Sequence, residues 1–145
     1  MNEILLNIRG CQMQGDETAD LELTTQGVLT HEDGASILRY NDSDDADENV
    51  ETIIAVKDDV VTMQKIGSVE TQFVFERGKT FITAYRTPFG DLDVTLFPTL
   101  VDAKIGQQKG SIQLEYVMDI AGAQVVNRLN LSYCSDKNGS SGIVS

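Results

Sequence analysis

Apolar and polar residues alternate with a period of two along nearly the whole chain. In the clearest segment, 111–120, every second residue is apolar: Ile112, Leu114, Tyr116, Met118 and Ile120. Segment 91–100 repeats the pattern with Leu92, Val94, Leu96, Pro98 and Leu100. This alternation is typical of antiparallel strands that place one face on a core and the other in solvent. No window shows apolar residues at helical spacing, so the sequence predicts an all-β protein.

Short turn sequences separate the alternating segments. Asp33-Gly34, Asp58-Asp59 and Arg77-Gly78 each lie between two strand candidates, as expected of hairpins. The phase of the first strand changes at Gly10, which predicts a β-bulge there. We count about eight to ten strands. An open meander of that many strands would leave two long unpaired edges, so we expect a single closed antiparallel up-and-down β-barrel.

The domain organisation is simple. A chain of 145 residues with 41% hydrophobic residues can form one domain with a substantial core. We assign residues 1–134 to the barrel, with an acidic loop at 41–49. Residues 135–145 are expected to form a flexible polar tail. Six acids fall within residues 42–51. Their spacing does not match that of a calcium-binding loop, and we expect the acidic loop to be a solvated segment.

The charge distribution restricts the partners. The formal net charge is −12, which disfavours nucleic acids and anionic membranes as partners. Residues 1–72 carry 16 acidic and 4 basic side chains, whereas residues 73–145 carry 7 of each. The argument against nucleic acids and anionic membranes as partners is therefore weaker for residues 73–145. No apolar run reaches the length of a membrane span or a signal peptide, and we expect a cytoplasmic protein.

The two cysteines, Cys11 and Cys134, lie in the first and last strand candidates. These strands become neighbours if the sheet closes. The thiols lack the spacing of a redox pair or a zinc site, and we expect them to stay reduced.

Motifs of catalysis are absent or incomplete. Gly78-Lys79-Thr80 resembles the end of a phosphate-binding loop, but Phe73 occupies the position where such a loop needs glycine. His31 is the single histidine, without a nucleophile elbow elsewhere. Asp91 and Asp93 are expected to point outward, away from any cleft. We therefore expect no enzyme activity, no cofactor and no metal.

One stretch carries a family resemblance. The segment 73–79, Phe-Val-Phe-Glu-Arg-Gly-Lys, is followed by Tyr85-Arg86-Thr87-Pro88-Phe89-Gly90, and then by 110–116 and 127–131. With Thr25-Gln26-Gly27 and Leu38-Arg39-Tyr40, these residues resemble the YwiB-like family of bacterial β-barrel proteins, which is placed with the calycin or lipocalin-like barrels. The resemblance covers most of residues 3–134. It implies a fold and carries no activity over to any residue.

Two functions remain open at this stage. A barrel of this size is either filled by side chains or holds one small ligand. The first hypothesis is non-enzymatic binding of a small apolar molecule in the barrel interior; the alternative is a filled barrel that contacts another protein. Exposed Phe97 and Val117 favour the alternative. For the first, the candidate ligand-binding residues are Tyr40, Tyr85, Arg86, Phe89, Tyr116 and Tyr133. Buried tyrosine hydroxyls need partners, either nearby backbone or a ligand.

Overall fold

The computed structural model describes residues 2–41, 50–67, 70–87 and 89–135, without the side chains of 85–87. The acidic segment 42–49 and the tail 136–145 lie outside the described residues. Ten β-strands make up the secondary structure of the described part: β1 Asn2–Gln14, β2 Glu17–Glu32, β3 Ala35–Asn41, β4 Glu51–Lys57, β5 Val60–Ile66, β6 Thr71–Phe75, β7 Phe81–Thr87, β8 Gly90–Ile105, β9 Lys109–Ile120 and β10 Ala123–Ser135. Asn41 and Ser135, which the sequence placed in the loop and the tail, are the last residues of β3 and β10. No helix in the described part of the chain is long and apolar enough to cross a bilayer.

All ten strands form one antiparallel sheet in the order β6-β5-β4-β3-β2-β1-β10-β9-β8-β7. Every ladder except one joins strands that are consecutive in sequence. The exception pairs β1 with β10 and places Leu6 opposite Tyr133 and Ile8 opposite Leu131. The predicted up-and-down β-barrel is thus confirmed.

The barrel is nearly closed, and its one interruption lies between β6 and β7. No ladder joins these two strands among the described residues; each pairs on one side only, β6 with β5 and β7 with β8. Near this seam, the Gly78 amide donates a 3.4 Å hydrogen bond to the Pro98 carbonyl of β8. The expectation that closure removes both edges therefore holds only in part, because β6 and β7 keep one unpaired edge each.

The hairpins predicted at Asp33-Gly34 and Asp58-Asp59 are present, whereas the one predicted at Arg77-Gly78 is wrong, because no ladder joins β6 to β7 among the described residues. Both turn residues of Asp33-Gly34, Asp58-Asp59 and Ala121-Gly122 have positive φ, between 51° and 89°. Positive φ at both positions defines the type I′ turn, whose twist matches that of antiparallel strands.

The predicted bulge at Gly10 is wrong. Gly10 keeps regular register with Leu21 on β2 and Leu129 on β10. The irregularity lies in β8 instead, where Pro98 pairs with Tyr116 but Leu100 pairs with Glu115. Proline has no N–H to donate, so a strand tolerates it where the ladder is interrupted.

This bulge reverses which residues of β8 face inward. Before it, Val94 and Leu96 are buried. After it, Val101 and Ala103 pair with the buried Leu114 and Ile112, so the odd-numbered residues face the core. The alternation that placed Leu100 on the same face as Leu92 therefore fails at Thr99.

A continuous core fills the barrel. Its buried members come from nine of the ten strands: Ile4, Leu6, Ile8, Leu29, Leu38, Tyr40, Ile54, Val61, Met63, Phe75, Leu96, Ile112, Leu114, Leu131 and Tyr133. Burial of apolar side chains of this size contributes about 1.5–3 kcal/mol each.

The two cysteines are on neighbouring strands but far apart. Cys11 pairs with Arg128, and Cys134 pairs with Leu5, six positions along β1 from Cys11. At about 3.4 Å per residue this separation is roughly 20 Å, so the two free thiols cannot bridge. A hydrogen bond with Asp20 raises the pKa of the Cys11 thiol. That shift disfavours the reactive thiolate.

Candidate functional site

A cavity of about 290 Å³ lies at one end of the barrel. The C-terminal ends of β1, β3, β5, β7 and β9 lie at this end because neighbouring strands are antiparallel. We call it the rim end and the space the rim cavity. Its walls are formed by Ile8, Gly10, Cys11, Gln12, Ala19, Asp20, Leu21, Tyr40, Met63, Lys65, Tyr116, Asn127, Arg128 and Leu129.

The cavity exists partly because Gly10 has no side chain. Gly10 follows Ile4, Leu6 and Ile8 on the inner face of β1, and its partner Leu21 is 61% exposed at the mouth. A Cβ added at Gly10 would meet no atom closer than 3.8 Å. A Cβ would thus fit here in ordinary van der Waals contact with Leu21 and Leu129, and its absence adds to the volume of the cavity.

Tyr116 supplies a desolvated hydroxyl to the cavity. Its ring packs edge-on against Phe75, with ring centroids 4.8 Å apart and planes at 64°. Burial raises the pKa of Tyr116 to about 12. Desolvation alone causes this pKa shift, and no hydrogen bond of the hydroxyl to another described residue contributes to it. Because the residue is only half-buried, this protonated group is available to a ligand.

Asn127 lies directly opposite Tyr116 on β10. It is 7% exposed on a strand face that otherwise carries Val125, Leu129 and Leu131. Its Nδ2 donates one long hydrogen bond of 3.4 Å to the Val125 carbonyl. The remaining donor and the acceptor of this buried amide have no other partner among the described residues.

Tyr40 and Lys65 complete the polar part of the wall. Tyr40 is buried and Lys65 is half-buried, and each takes part in an interaction with another group. Thr52, fully buried, pairs with both residues from the intervening strand β4. We therefore do not count the side chains of Tyr40 and Lys65 among the groups that a ligand could engage.

Tyr133 lies towards the opposite end of the barrel. Its hydroxyl donates to the Gly106 carbonyl at 2.6 Å and accepts from the Gly106 amide at 3.0 Å. The ring lies against Gly110, where an added Cβ would be 2.5 Å from the hydroxyl oxygen. Tyr133 therefore holds the β8–β9 connection against the barrel.

Replacing Tyr133 by phenylalanine is expected to lower the free energy of unfolding by about 1–2 kcal/mol. The variant loses two hydrogen bonds and leaves the Gly106 amide and carbonyl without their partner. Amide hydrogen exchange should become faster at Gly106 and remain unchanged at the Asp33-Gly34 turn. Equal exchange rates at Gly106 in both proteins would show that the hydroxyl does not hold this connection.

The raised pKa of Tyr116 predicts a loss of stability at alkaline pH. An unfolded tyrosine ionises near its ordinary pKa of about 10, whereas the folded group keeps its proton up to about pH 12. Between these values the unfolded state holds fewer protons, so the free energy of unfolding falls as pH rises. Because burial also raises the pKa of Tyr133, Tyr116→Phe should reduce this slope and not abolish it. Urea unfolding at several alkaline pH values tests this; identical slopes in both proteins contradict it.

A larger space, about 740 Å³, lies at the opposite end of the barrel; besides outward-facing residues, its lining includes Leu6 and Tyr133 of the core. Lys104 of β8 lies opposite Ser111 of β9, which lies opposite Ser132 of β10. The small side chains of these two serines form part of the floor of this space. The outward side chains at its edges are exposed, as expected of a surface trough. We therefore take the rim cavity as the candidate site.

Comparison with known proteins places this geometry in a family. The sequence matches the model of the family described as Domain of unknown function (DUF1934) over residues 6–131. The chain belongs to this family.

Two comparisons extend this DUF1934 assignment. The chain is 25% identical over 104 residues to the "Uncharacterized beta-barrel protein YwiB" of Bacillus subtilis (strain 168), covering 72% of each sequence. It superimposes on the crystal structure of the ywiB protein from Bacillus subtilis with a TM-score of 0.83 at 21% identity, covering 92% of each chain. The YwiB-like resemblance is thus confirmed. The wider placement with calycin or lipocalin-like barrels stays a prediction.

The DUF1934 barrel brings together only part of the predicted site. Tyr40 and Tyr116 line the rim cavity, whereas Tyr133 holds a connection elsewhere. Phe89 is 100% exposed and is not part of the cavity wall. The side chains of Tyr85 and Arg86 lie outside the described residues.

Sequence reasoning missed Asn127, Gly10 and Lys65 in this DUF1934 chain. Asn127 had a usable signal, because it is a polar residue in phase with Val125, Leu129 and Leu131 on an apolar face. Gly10 was noticed but taken as a bulge. Lys65 carried no signal, since a single lysine near a strand end is normally solvated.

Proposed function

We propose that this barrel binds a small, mostly apolar molecule in the rim cavity and does not transform it. The observation that carries the proposal is the combination of apolar walls with two polar groups that keep hydrogen-bonding capacity towards the cavity, the Tyr116 hydroxyl and the Asn127 amide. Ligand sites characteristically combine a largely apolar lining with a few convergent polar groups.

The size of the cavity limits the ligand. At about 290 Å³ it lies at the small end of known ligand pockets and holds roughly ten water-sized groups. The core residues Leu6, Leu114 and Leu131 fill the barrel beyond it. These dimensions favour a compact ring or short chain over a long lipid.

The chemistry of the wall favours binding over catalysis. Burial keeps Tyr116 protonated at neutral pH, so it acts as a hydrogen-bond donor and not as a base. The thiol of Cys11, at the edge of the cavity, has a raised pKa. Neither group is activated for attack on a bound molecule.

The proposal is tested by substitutions at Gly10 that place a side chain in the cavity. Gly10→Val adds a branched side chain in the open space, whereas Gly10→Ala adds only the Cβ that the space accepts. We expect ethylbenzene to cause saturable NMR shifts at the amides of Ile8, Tyr116 and Asn127 in the wild type. Gly10→Val should weaken this binding about tenfold or more, and Gly10→Ala should weaken it much less. If ethylbenzene causes no shifts in the wild type, there is no ligand site here. The same conclusion follows if the shifts are equal in the wild type and in a Gly10→Val protein of matched stability.

The outer wall supports a second candidate function, contact between copies of this protein. Register places Phe97 opposite Val117, Val117 opposite Val126, and Val126 opposite Met13, which makes an apolar row across four strands. Phe97 is 41% exposed. The row is small for a stable interface, so we rank it second. Sedimentation velocity decides it: self-association of the wild type that Val117→Lys abolishes supports contact, and a monomer at high concentration excludes it.

A further inference from the structure

We infer that the ligand presents an uncharged amide edge, a hydrogen-bond donor beside an acceptor, to Asn127 and Tyr116. This inference rests on the proposed function and adds the chemical class of the ligand. It starts from what the two side chains leave unused in the barrel.

Asn127 and Tyr116 form one polar patch on the cavity wall. They are directly opposed on β10 and β9 and both lie on the inner face. Opposed residues of antiparallel strands have Cβ atoms about 4.5–5.5 Å apart. A single polar group of a ligand can therefore reach both.

The unused groups on this patch are both donors and acceptors. An asparagine amide has two N–H donors and one carbonyl acceptor. The Val125 carbonyl takes one of these donors at 3.4 Å. One donor and the acceptor of Asn127 remain, together with the hydroxyl of Tyr116.

A ligand must match both kinds of group to displace water from them. A hydrocarbon would leave all of them without partners, so it should bind more weakly than a ligand of the same size that pairs with them. A lone carbonyl would satisfy the donors and leave the Asn127 carbonyl unpaired. A carboxamide satisfies both, in either orientation of the asparagine amide.

The charges around the cavity favour a neutral ligand. A carboxylate offers no donor to the Asn127 carbonyl, and it would lose hydration against Ile8, Met63 and Leu129. Lys65 lies on the inner wall and already takes part in an interaction with another group. Asp20 and Arg128 sit together at the mouth with opposite charges.

The test uses three probes of similar size that differ at one group: benzamide, benzoate and ethylbenzene. Each is titrated into the full chain at neutral pH and followed by NMR at the cavity amides. We expect benzamide to bind about tenfold more tightly than ethylbenzene, as two net hydrogen bonds predict. Benzoate should bind more weakly than benzamide.

Three variants test whether the preference for benzamide over ethylbenzene depends on Asn127 and Tyr116. Asn127→Leu and Tyr116→Phe should each reduce the preference for benzamide over ethylbenzene to within about threefold while ethylbenzene still binds. Asn130→Leu is the matched control, because Asn130 lies on the same strand and faces outward. It should leave the preference unchanged.

The outcomes separate this inference from the proposed function. Equal binding of benzamide and ethylbenzene, both weakened by Gly10→Val, overturns the amide edge and retains the cavity as a ligand site. Tightest binding of benzoate also overturns the amide edge, in favour of an anion. If ethylbenzene does not bind, or if Gly10→Val does not weaken its binding, both the amide edge and the proposed function are overturned, whether or not benzamide binds.

Discussion

Replacing Phe75 by alanine is expected to lower the free energy of unfolding by about 3–5 kcal/mol. Phe75 is 1% exposed and packs edge-on against Tyr116, while its strand neighbour Val61 is fully buried. Alanine removes the whole ring and leaves a space that the surrounding strands can only partly close. Equilibrium urea unfolding followed by far-ultraviolet circular dichroism measures the change.

The position of Phe75 beside the seam strengthens this expectation. Its strand β6 has a ladder on one side only, to β5. The contact with Tyr116 therefore links β6 to β9 across the interior without backbone pairing. Phe97→Ala is the matched control, because the same ring is removed from the outer face, and we expect a loss of less than about 1 kcal/mol. Equal losses in the two variants would show that Phe75 does not hold the core together.

A single methyl group at Gly27 is expected to cost roughly 2–3 kcal/mol. An added Cβ would lie 2.5 Å from Leu6 Cδ1 and 2.6 Å from the Arg39 carbonyl oxygen. The leucine can rotate, but the carbonyl belongs to the backbone of β3. Relieving the contact requires β2 and β3 to move apart, which strains their ladder.

Gly10→Ala provides the comparison for Gly27→Ala. Both glycines lie in strands with ordinary φ, and the added Cβ at Gly10 meets atoms only at 3.8 Å and beyond. Alanine also reduces the freedom of the unfolded chain, so Gly10→Ala should be neutral or stabilise by up to about 1 kcal/mol. Thermal and urea unfolding of both variants test this; a Gly27→Ala protein as stable as Gly10→Ala would contradict the close approach of β2 and β3.

The fold was predictable because its signals are local. Alternation identifies each strand, and two-residue turns such as Asp33-Gly34 and Asp58-Asp59 set the hairpins, which account for all ladders but one. The bulge at Pro98 was not found, because Leu92 to Leu100 alternate without interruption in sequence. Only the pairing with β9 shows where the phase changes.

The candidate site was predictable only in part, because convergence of side chains is a long-range property. Alternation placed Tyr40, Tyr116 and Tyr133 on inner faces, and all three are on inner faces. It could not show that the Tyr133 hydroxyl donates a hydrogen bond to the carbonyl of Gly106, which lies 27 residues away in sequence. Nor could it tell that Asn127 lies opposite Tyr116, which depends on the register of β9 and β10.

The ladder between β1 and β10 has a consequence for how the chain folds. Strands β2 to β9 all lie between these two partners in sequence, whereas every other ladder closes a short hairpin. Local hairpins form quickly, and joining distant segments requires the closure of one very long loop. We therefore expect β1–β6 and β7–β10 to collapse as two meanders, and the rate of folding to depend on the step that brings Leu6 and Ile8 against Leu131 and Tyr133.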